Sequence, residues 1–290
     1  MRIFRFRNLN SLEVDAIKNT YLWFSSFDSL NDPFEGIMHF DKSSISSDTR
    51  IKYYRKCLSR QKGLSEEQAN EIIQRIYISH QNTVDIKSLE DHIDQLLEAE
   101  FWRFYAKEHR SNNFVCCVSM QKEEKKFPAP LNNMMMWAHY ANGFRGICIE
   151  FDSQELISSL NVNNGNSKIV SEPVLYPEHD ELPSYDLESF CKSALLDNTD
   201  TSINILRAMC TKEKSWAYEN ELRLISPVQG KNFYNKDSIR SLYVPLRHKL
   251  DDENKKQWTI LKEFCEKNSI PIYGVKIHST HYKLGYKRIG

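Results

Sequence analysis

Short runs of alternating apolar and polar positions occupy both ends of this chain, and a helical period replaces them between residues 41 and 110. Residues 2–7, RIFRFR, alternate basic with apolar side chains. That pattern predicts a strand with Arg5 and Arg7 on one face. Ser11 to Asn19 carries Leu12 and Ile17 inward behind Asn10 or Ser11, a helix with its cap. YLWFS at Tyr21–Ser25 reads as a second strand, and FDSLNDPFEG after it as a capped turn. There Pro33 pushes Asp32 extended, and Asn31 and Asp32 can accept from nearby backbone N–H groups.

The 41–110 stretch is long, charged and helical. Ser65-Glu-Glu-Gln68 has the form of a capping box, opening a helix through Ile72, Ile73 and Ile76. Ser88 opens another, with Ile93, Leu96, Leu97, Phe101 and Phe104 at helical spacing. Beyond it, Phe114–Met120 predicts a buried strand, and 121–130 a Lys/Glu/Pro surface loop. A short helix at Met134–Tyr140 leads through a glycine turn to a strand from Arg145 to Phe151. Asn161–Ser167 is a turn-rich loop, and Lys168–Tyr176 a strand that Pro173 confines to an edge or bulge. Helices at 187–196 and 203–210 precede KEKSWAYENELRLIS, residues 212–226. A strand at Ser241–Leu246, a helix at Asp251–Asn268 and a strand at Ile272–Ile277 complete the order. With no internal repeat and no linker, the prediction is one α+β domain over 1–290, with 41–110 as a helical insertion.

Composition narrows the classes. Lys+Arg and Asp+Glu both number 39 in 290 residues, so bulk charge draws the chain to neither nucleic acid nor membrane. Any such partner needs a local patch. The last fifteen residues supply one, with Lys276, His278, His281, Lys283, Lys287 and Arg288, unless they are ordinary soluble surface. Seven cysteines show no metal spacing and no paired pattern, as in a reducing compartment. MRIFRFRNLN is no signal peptide, and no apolar run approaches membrane-spanning length. A cytoplasmic, soluble protein is expected.

The chemistry concentrates in residues 212–226. Read as a strand, the stretch puts Glu219, Glu221 and Arg223 on one face and sends Leu222 and Leu224 into the core. Two aligned carboxylates suit a site handling positive charge or protons; the plainer reading is a solvated edge strand with a Glu/Arg surface pair.

FRFRNLN, WFSSFDSLNDPFEG, the strand ending in Ser119, MMMWAHYANGFRGICIEFD, the strand to Tyr176 and KEKSWAYENELRLI occur in that order. The series resembles the bacterial family catalogued as domain of unknown function 2971, found with phage-resistance genes among other contexts. More distantly, the chain is similar to ADP-ribosyltransferases, whose split mixed or antiparallel sheet carries Arg or His, then an aromatic or Ser, then Glu-x-Glu. Arg5 or Arg7, Ser119 and Glu219-x-Glu221 stand in that order. That resemblance implies NAD as co-substrate. Glu221 would stabilise the oxocarbenium charge on the ribose and hold its 2′-OH. Glu219 would orient or deprotonate the nucleophile, and Arg5 or Arg7 would grip the diphosphate or ribose. Ser119 would hold the frame, while Tyr21, Trp23 or Trp137 would stack on nicotinamide. The implied role is a toxin or phage-defence effector modifying RNA, DNA or protein, restrained by an antitoxin protein.

Three rivals stand beside it. A Mg²⁺-dependent nuclease would use Asp32, Glu35, Glu150 and Asp152, or the 219/221 pair, but Glu150-Phe-Asp152 lacks the lysine many nucleases carry. A non-enzymatic sensor or scaffold would use the acidic turns and aromatics to bind a partner. A hydrolase built on Cys116 or Cys117 with His139 is weakest, because both thiols sit in a run that reads as buried. His139 itself also fits a plain helix C-terminal role.

Overall fold

The computed structural model describes residues 1–43, 45–81, 86–121, 130–165, 168–195, 202–246 and 252–290. Most of the loop expected at 121–130 lies outside them, as do the last two residues of the 161–167 loop. In chain order the chain forms β1 (Arg2–Arg7), α1 (Ser11–Lys18), β2 (Tyr21–Ser26) and β3 (His39–Asp41). Three helices follow, α2 (Ser47–Lys62), α3 (Glu66–Gln81) and α4 (Ile86–Phe104). Then come β4 (Phe114–Met120), α5 (Met134–Tyr140), β5 (Ile147–Asp152), α6 (Ser153–Asn163), β6 (Val170–Pro173) and β7 (Ser184–Asp186). After α7 (Leu187–Leu195) and α8 (Ser202–Met209) the chain makes β8 (Glu221–Ser226), β9 (Gly230–Phe233) and β10 (Ile239–Pro245). It ends with α9 (Asp252–Lys267), β11 (Ile272–Ile277) and β12 (Leu284–Arg288). No described helix is long and apolar enough to cross a membrane.

The elements form two compact units. The first comprises Met1–Pro33, Asn112–Glu178 and Lys212–Gly290. Its ten-stranded sheet runs β12-β11-β10-β5-β1-β4-β2-β9, with β8 joined to β4 and β6 joined to β8. Among the described strands of this sheet, only β10 and β11 pair in parallel. The sheet forks at β4: one edge carries β8 from Phe114↔Ser226 to Ser119↔Glu221. The other edge is shared by β1, paired at Phe4↔Ser119, and β2, paired at Ser26↔Phe114. The α+β class expected from the pattern is what forms.

Alternation along β1 divides the core. Ile3 joins Val14, Ile17, Leu156 and Leu261, packed under α1, α6 and α9. Phe4 and Phe6 join Met136, Trp137, Phe144 and Tyr243 on the opposite face, under α5. Because successive strand residues point to opposite faces, Arg5 and Arg7 share Ile3's side and Ser119 shares Phe4's. Gly146 is needed where the turn enters β5, since a Cβ there would strike the Arg7 carbonyl oxygen.

The second unit comprises Phe34–Ser111 and His179–Thr211, so helices α7 and α8 join the inserted ones, with a parallel β3–β7 pair. Ser65 and Gln68 form the expected reciprocal capping box, with bonds of 2.9 and 3.2 Å. Phe101 is fully buried and meets Phe190 edge-on at 4.8 Å, a core contact. Arg50 grips Asp94 with two buried bonds of 2.6 and 3.1 Å.

Several elements differ from expectation, among them the short β3 and β7, which form where no strand is predicted. Helix α4 begins at Ile86, ahead of Ser88. Helix α6 was not foreseen, although Asp152 caps it by accepting from Gln154 N and Glu155 N. Strands β9 and β12 form where a loop and a basic tail were read. Both are short sheet-edge strands whose pairing partner, not their own pattern, holds them extended.

Candidate functional site

The site begins just before β8. Lys214–Glu219 make a 3-10 turn capped by Glu213, whose carboxylate accepts from Ser215 N at 2.9 Å. Asn220 then takes a left-handed conformation with φ 45°, a region asparagine tolerates better than most residues. Its side-chain amide donates to the Met120 carbonyl, while Met120 N donates to the Asn220 carbonyl at 2.8 Å. The turn therefore stops at Glu219 and the strand starts at Glu221. This corrects the expectation that both glutamates project from one face of one strand.

They converge all the same. Lys212 Nζ donates to Glu219 Oε2 at 2.8 Å and to Glu221 Oε2 at 3.3 Å. Arg223 Nε donates to Glu221 Oε1 at 2.7 Å. All four side chains are buried, with Arg223 at 0% exposure. Strand β8 lies between β4 and β6, so the solvated-edge reading of Glu221 and Arg223 does not hold. Lys212 enters this position because its backbone N–H bonds the Leu175 carbonyl at 3.0 Å, just past β6.

Aromatic and polar side chains close around the charges. Tyr140 Oη donates to Glu219 Oε1 and accepts from Asn31 Nδ2 at 3.0 Å. Tyr176 Oη accepts from Glu221 N at 3.0 Å. The Trp216 ring centroid lies 4.7 Å from Lys212 Nζ, within cation–π range. At the exposed end, His139 Nδ1 and Tyr218 Oη are 2.8 Å apart. Ser119 and Cys117 stand across the ladder from Glu221 and Arg223.

This setting drives the two carboxyls apart. Burial raises the Glu219 carboxyl above its ordinary range, despite Lys212 and Tyr140. Burial also works on Glu221, but Arg223 and Lys212 outweigh it and hold that carboxyl down at about 2. Burial, then Glu219, pushes Tyr140 up, and the same two causes raise Tyr218 to about 12.

Of the residues chosen from sequence, Glu219, Glu221 and Ser119 come together; the arginines and the three stacking candidates do not join them. Arg5 and Arg7 lie on the opposite face, bonded to Glu13 at 3.4 and 2.5 Å. Two-residue alternation decides this, because Phe4, and not Arg5, pairs with Ser119. Tyr21 donates to Asp15 at 2.8 Å, and half-exposed Trp23 lies beside Gly230. Trp137 is fully buried, donates to the Leu131 carbonyl at 2.8 Å and packs edge-on against Phe6, so its ring offers no face to a ligand.

Two acids of the nuclease reading are engaged elsewhere: Glu150 accepts from Arg2 at 2.5 Å and Tyr243 at 2.6 Å, and Asp152 caps α6, while Asp32 and Glu35 are buried. Among the described residues, no group of three or more His, Cys, Asp or Glu is arranged to hold a metal ion. Burial raises the Cys116 and Cys117 thiols above their ordinary value, away from the thiolate a hydrolase needs.

Residues 136–224 match the family described as protein of unknown function (DUF2971). The matched stretch runs from within α5 into β8, and so contains Tyr140, Lys212, Glu219, Glu221 and Arg223. No curated protein and no solved structure matches the chain. The sequence reading missed Lys212, Tyr140, Tyr176 and Tyr218 as members of one site. Lysines and one tyrosine, Tyr218, close to the Glu-x-Glu were the available signal, but only the fold brings Tyr140 and Tyr176 to it.

Proposed function

We propose that the protein breaks the N-glycosidic bond of a nicotinamide dinucleotide and transfers the ADP-ribosyl group to a nucleophile. The observation that carries this reading is geometric: two buried carboxyls, Glu219 and Glu221, converge on Lys212, and with one raised and the other lowered such a pair can divide proton-handling from charge-stabilising roles. Glu221, ionised at neutral pH, supplies the anion that an oxocarbenium-like ribose needs. As the C1′–N bond breaks, its electrons pass to the nicotinamide ring, which leaves neutral and needs no proton. The acceptor atom bonds to C1′ and gives its proton to Glu219, the carboxylate with the greater proton affinity. Tyr140 fixes Glu219 from the side facing Asn31, and Ser119 borders Glu221. Arg5 and Arg7 are bonded to Glu13 on the opposite face of the sheet, so recognition here centres on the ribose end of the dinucleotide. The acceptor is a nucleic acid or a protein side chain, and a toxin or defence effector restrained by an antitoxin is the role such chemistry fits.

A second reading is supported by the same bonds. Both Glu221 oxygens are already held, by Arg223 and Lys212, and the side chain is 4% exposed. On that reading the charges are a structural lock in a non-enzymatic binding protein. Nicotinamide release from NAD, with cell extract as acceptor source, separates the two. Release that falls by two or more orders of magnitude in Glu221→Gln, in a protein that still melts cooperatively, supports the transferase. No release from the native protein, or equal release from the variant, overturns it.

A further inference from the structure

Glu266 is the last acidic residue of the chain, and Lys267, Lys276, Lys283, Lys287, Arg288, His278 and His281 follow it. In a chain of net charge +0, this is a marked local excess. The fold concentrates it on the hairpin of β11 and β12, with β12 the last strand in the sheet order. Lys276, Lys283 and Lys287 are exposed, and among the described residues none of them is in a salt bridge with a carboxylate; Arg288, also exposed, donates from Nε to the Gly290 oxygen at 3.1 Å. The cross-strand partners of the two strand lysines are glycines: Lys276 faces Gly285, and Lys287 faces Gly274. A Cβ added at Gly285 would meet only open space, so a notch lies beside Lys276. An open cleft of about 570 Å³ adjoins it, lined by Leu246, Lys276, Ile277, His278 and Ser279. At the hairpin tip Tyr282 is fully exposed, while Tyr286 is pinned to Asn132 by a 2.7 Å bond.

We infer that the β11–β12 hairpin is a platform for single-stranded nucleic acid, with Lys276, Lys283 and Lys287 meeting phosphates and Tyr282 stacking on a base. Basic side chains along an extended edge, interleaved with an unpacked aromatic ring, are the two elements of sequence-tolerant single-strand binding. Lys283 immediately precedes β12 and Lys287 lies within it, so about four residues of extended chain, roughly 13 Å, separate them, a spacing that suits a linear polyanion. A membrane would need a continuous apolar face beside the cations; the exposed apolar side chains here, Leu246, Ile277, Tyr282, Tyr286 and Ile289, are separated in sequence by His278, Ser279, Thr280, His281 and the lysines themselves. The inference goes beyond the proposed reaction and stands without it.

The test is fluorescence anisotropy of the full chain with labelled dT20 and rU20, without NAD, between 50 and 200 mM salt. The native protein should bind both, with affinity falling as salt rises. Lys276→Gln with Lys287→Gln should weaken binding at least about tenfold and flatten the log–log salt slope by about 0.7 per lost contact. Tyr282→Ala should weaken binding about tenfold with the slope unchanged. Gly285→Val, which adds a strand-favouring side chain in open space, should fill the notch and weaken binding while the melting temperature holds. Variants that bind as the native chain does, or anionic phosphatidylserine vesicles bound where oligonucleotides are not, would overturn the assignment.

Discussion

Arg223 Nε reaches Glu221 Oε1 at 2.7 Å from two residues along the same strand, with the arginine wholly out of solvent. Neighbours at that spacing share a face, so the pair is built into β8. Its lysine partner, Lys212, comes from outside the strand and binds the other Glu221 oxygen.

Removing the cation should cost more than the pair itself contributes, since it leaves a buried carboxylate short of charge. Arg223→Met is expected to destabilise the chain by about 3–5 kcal/mol. Urea denaturation at neutral pH checks this, and Arg223→Met with Glu221→Leu should recover much of the loss. A single variant within about 0.5 kcal/mol of the native chain would refute the buried pairing.

Lys212 holds two carboxylates at once. In Lys212→Met they face each other without it, so stability should fall at pH 7 and improve as pH drops, opposite to the native trend from Glu221. Glu219→Gln in that background should relieve the loss, because the raised carboxyl is then neutral at every pH.

Acid denaturation should report Glu221 directly. Its carboxyl is lowered from 4.5 to about 2 in the folded chain. The stability this represents is fully present above about pH 4.5 and is lost as pH falls through about 2. Glu219 has the opposite sign, favouring the folded state at low pH and losing that advantage as pH rises through 4.5 and beyond. Denaturation series from pH 2 to 7 should show a flatter acid limb in Glu221→Gln than in the native chain.

The Arg5–Glu13–Arg7 cluster should matter for stability and not for chemistry. Glu13→Gln leaves the buried Arg5 guanidinium short of its carboxylate, and a loss of about 1–3 kcal/mol is expected. Nicotinamide release, if present in the native protein, should be unchanged. A collapse of release without loss of stability would return these arginines to the site.

Asn220 sets where the turn stops. Asn220→Ala places a residue less suited to φ 45° there and removes the bond to Met120, for an expected cost of about 1–2 kcal/mol. Asn220→Gly keeps the backbone freedom and loses the bond alone, so its melting temperature should lie between those of the alanine variant and the native chain.

Local pattern carried much of the fold. Residues 2–7, which alternate basic with apolar, and the short apolar-rich runs at 114–120 and 272–277 became β1, β4 and β11, because strand-length runs are written into consecutive residues. The Met134–Tyr140 helix and the Ser65/Gln68 box were equally legible, since both depend on groups three or four residues apart. Short strands β9 and β12 were not, because a distant partner holds each extended. Asp152 was mistaken for a candidate ligand because its helix-capping bonds point forward into residues whose helical period is weak.

The chain by itself determined that acids, aromatics and two lysines crowd residues 212–226, and that Arg5 and Arg7 share a face. Tertiary structure decided which groups meet. The β1–β4–β8 register set Ser119 beside Glu221 and turned both arginines to the other side of the sheet. It also carried Tyr140 and Tyr176 across long stretches of sequence to Glu219 and Glu221. Strand register and burial are collective properties of many paired residues, and a one-residue change in pairing reverses every side chain of a strand.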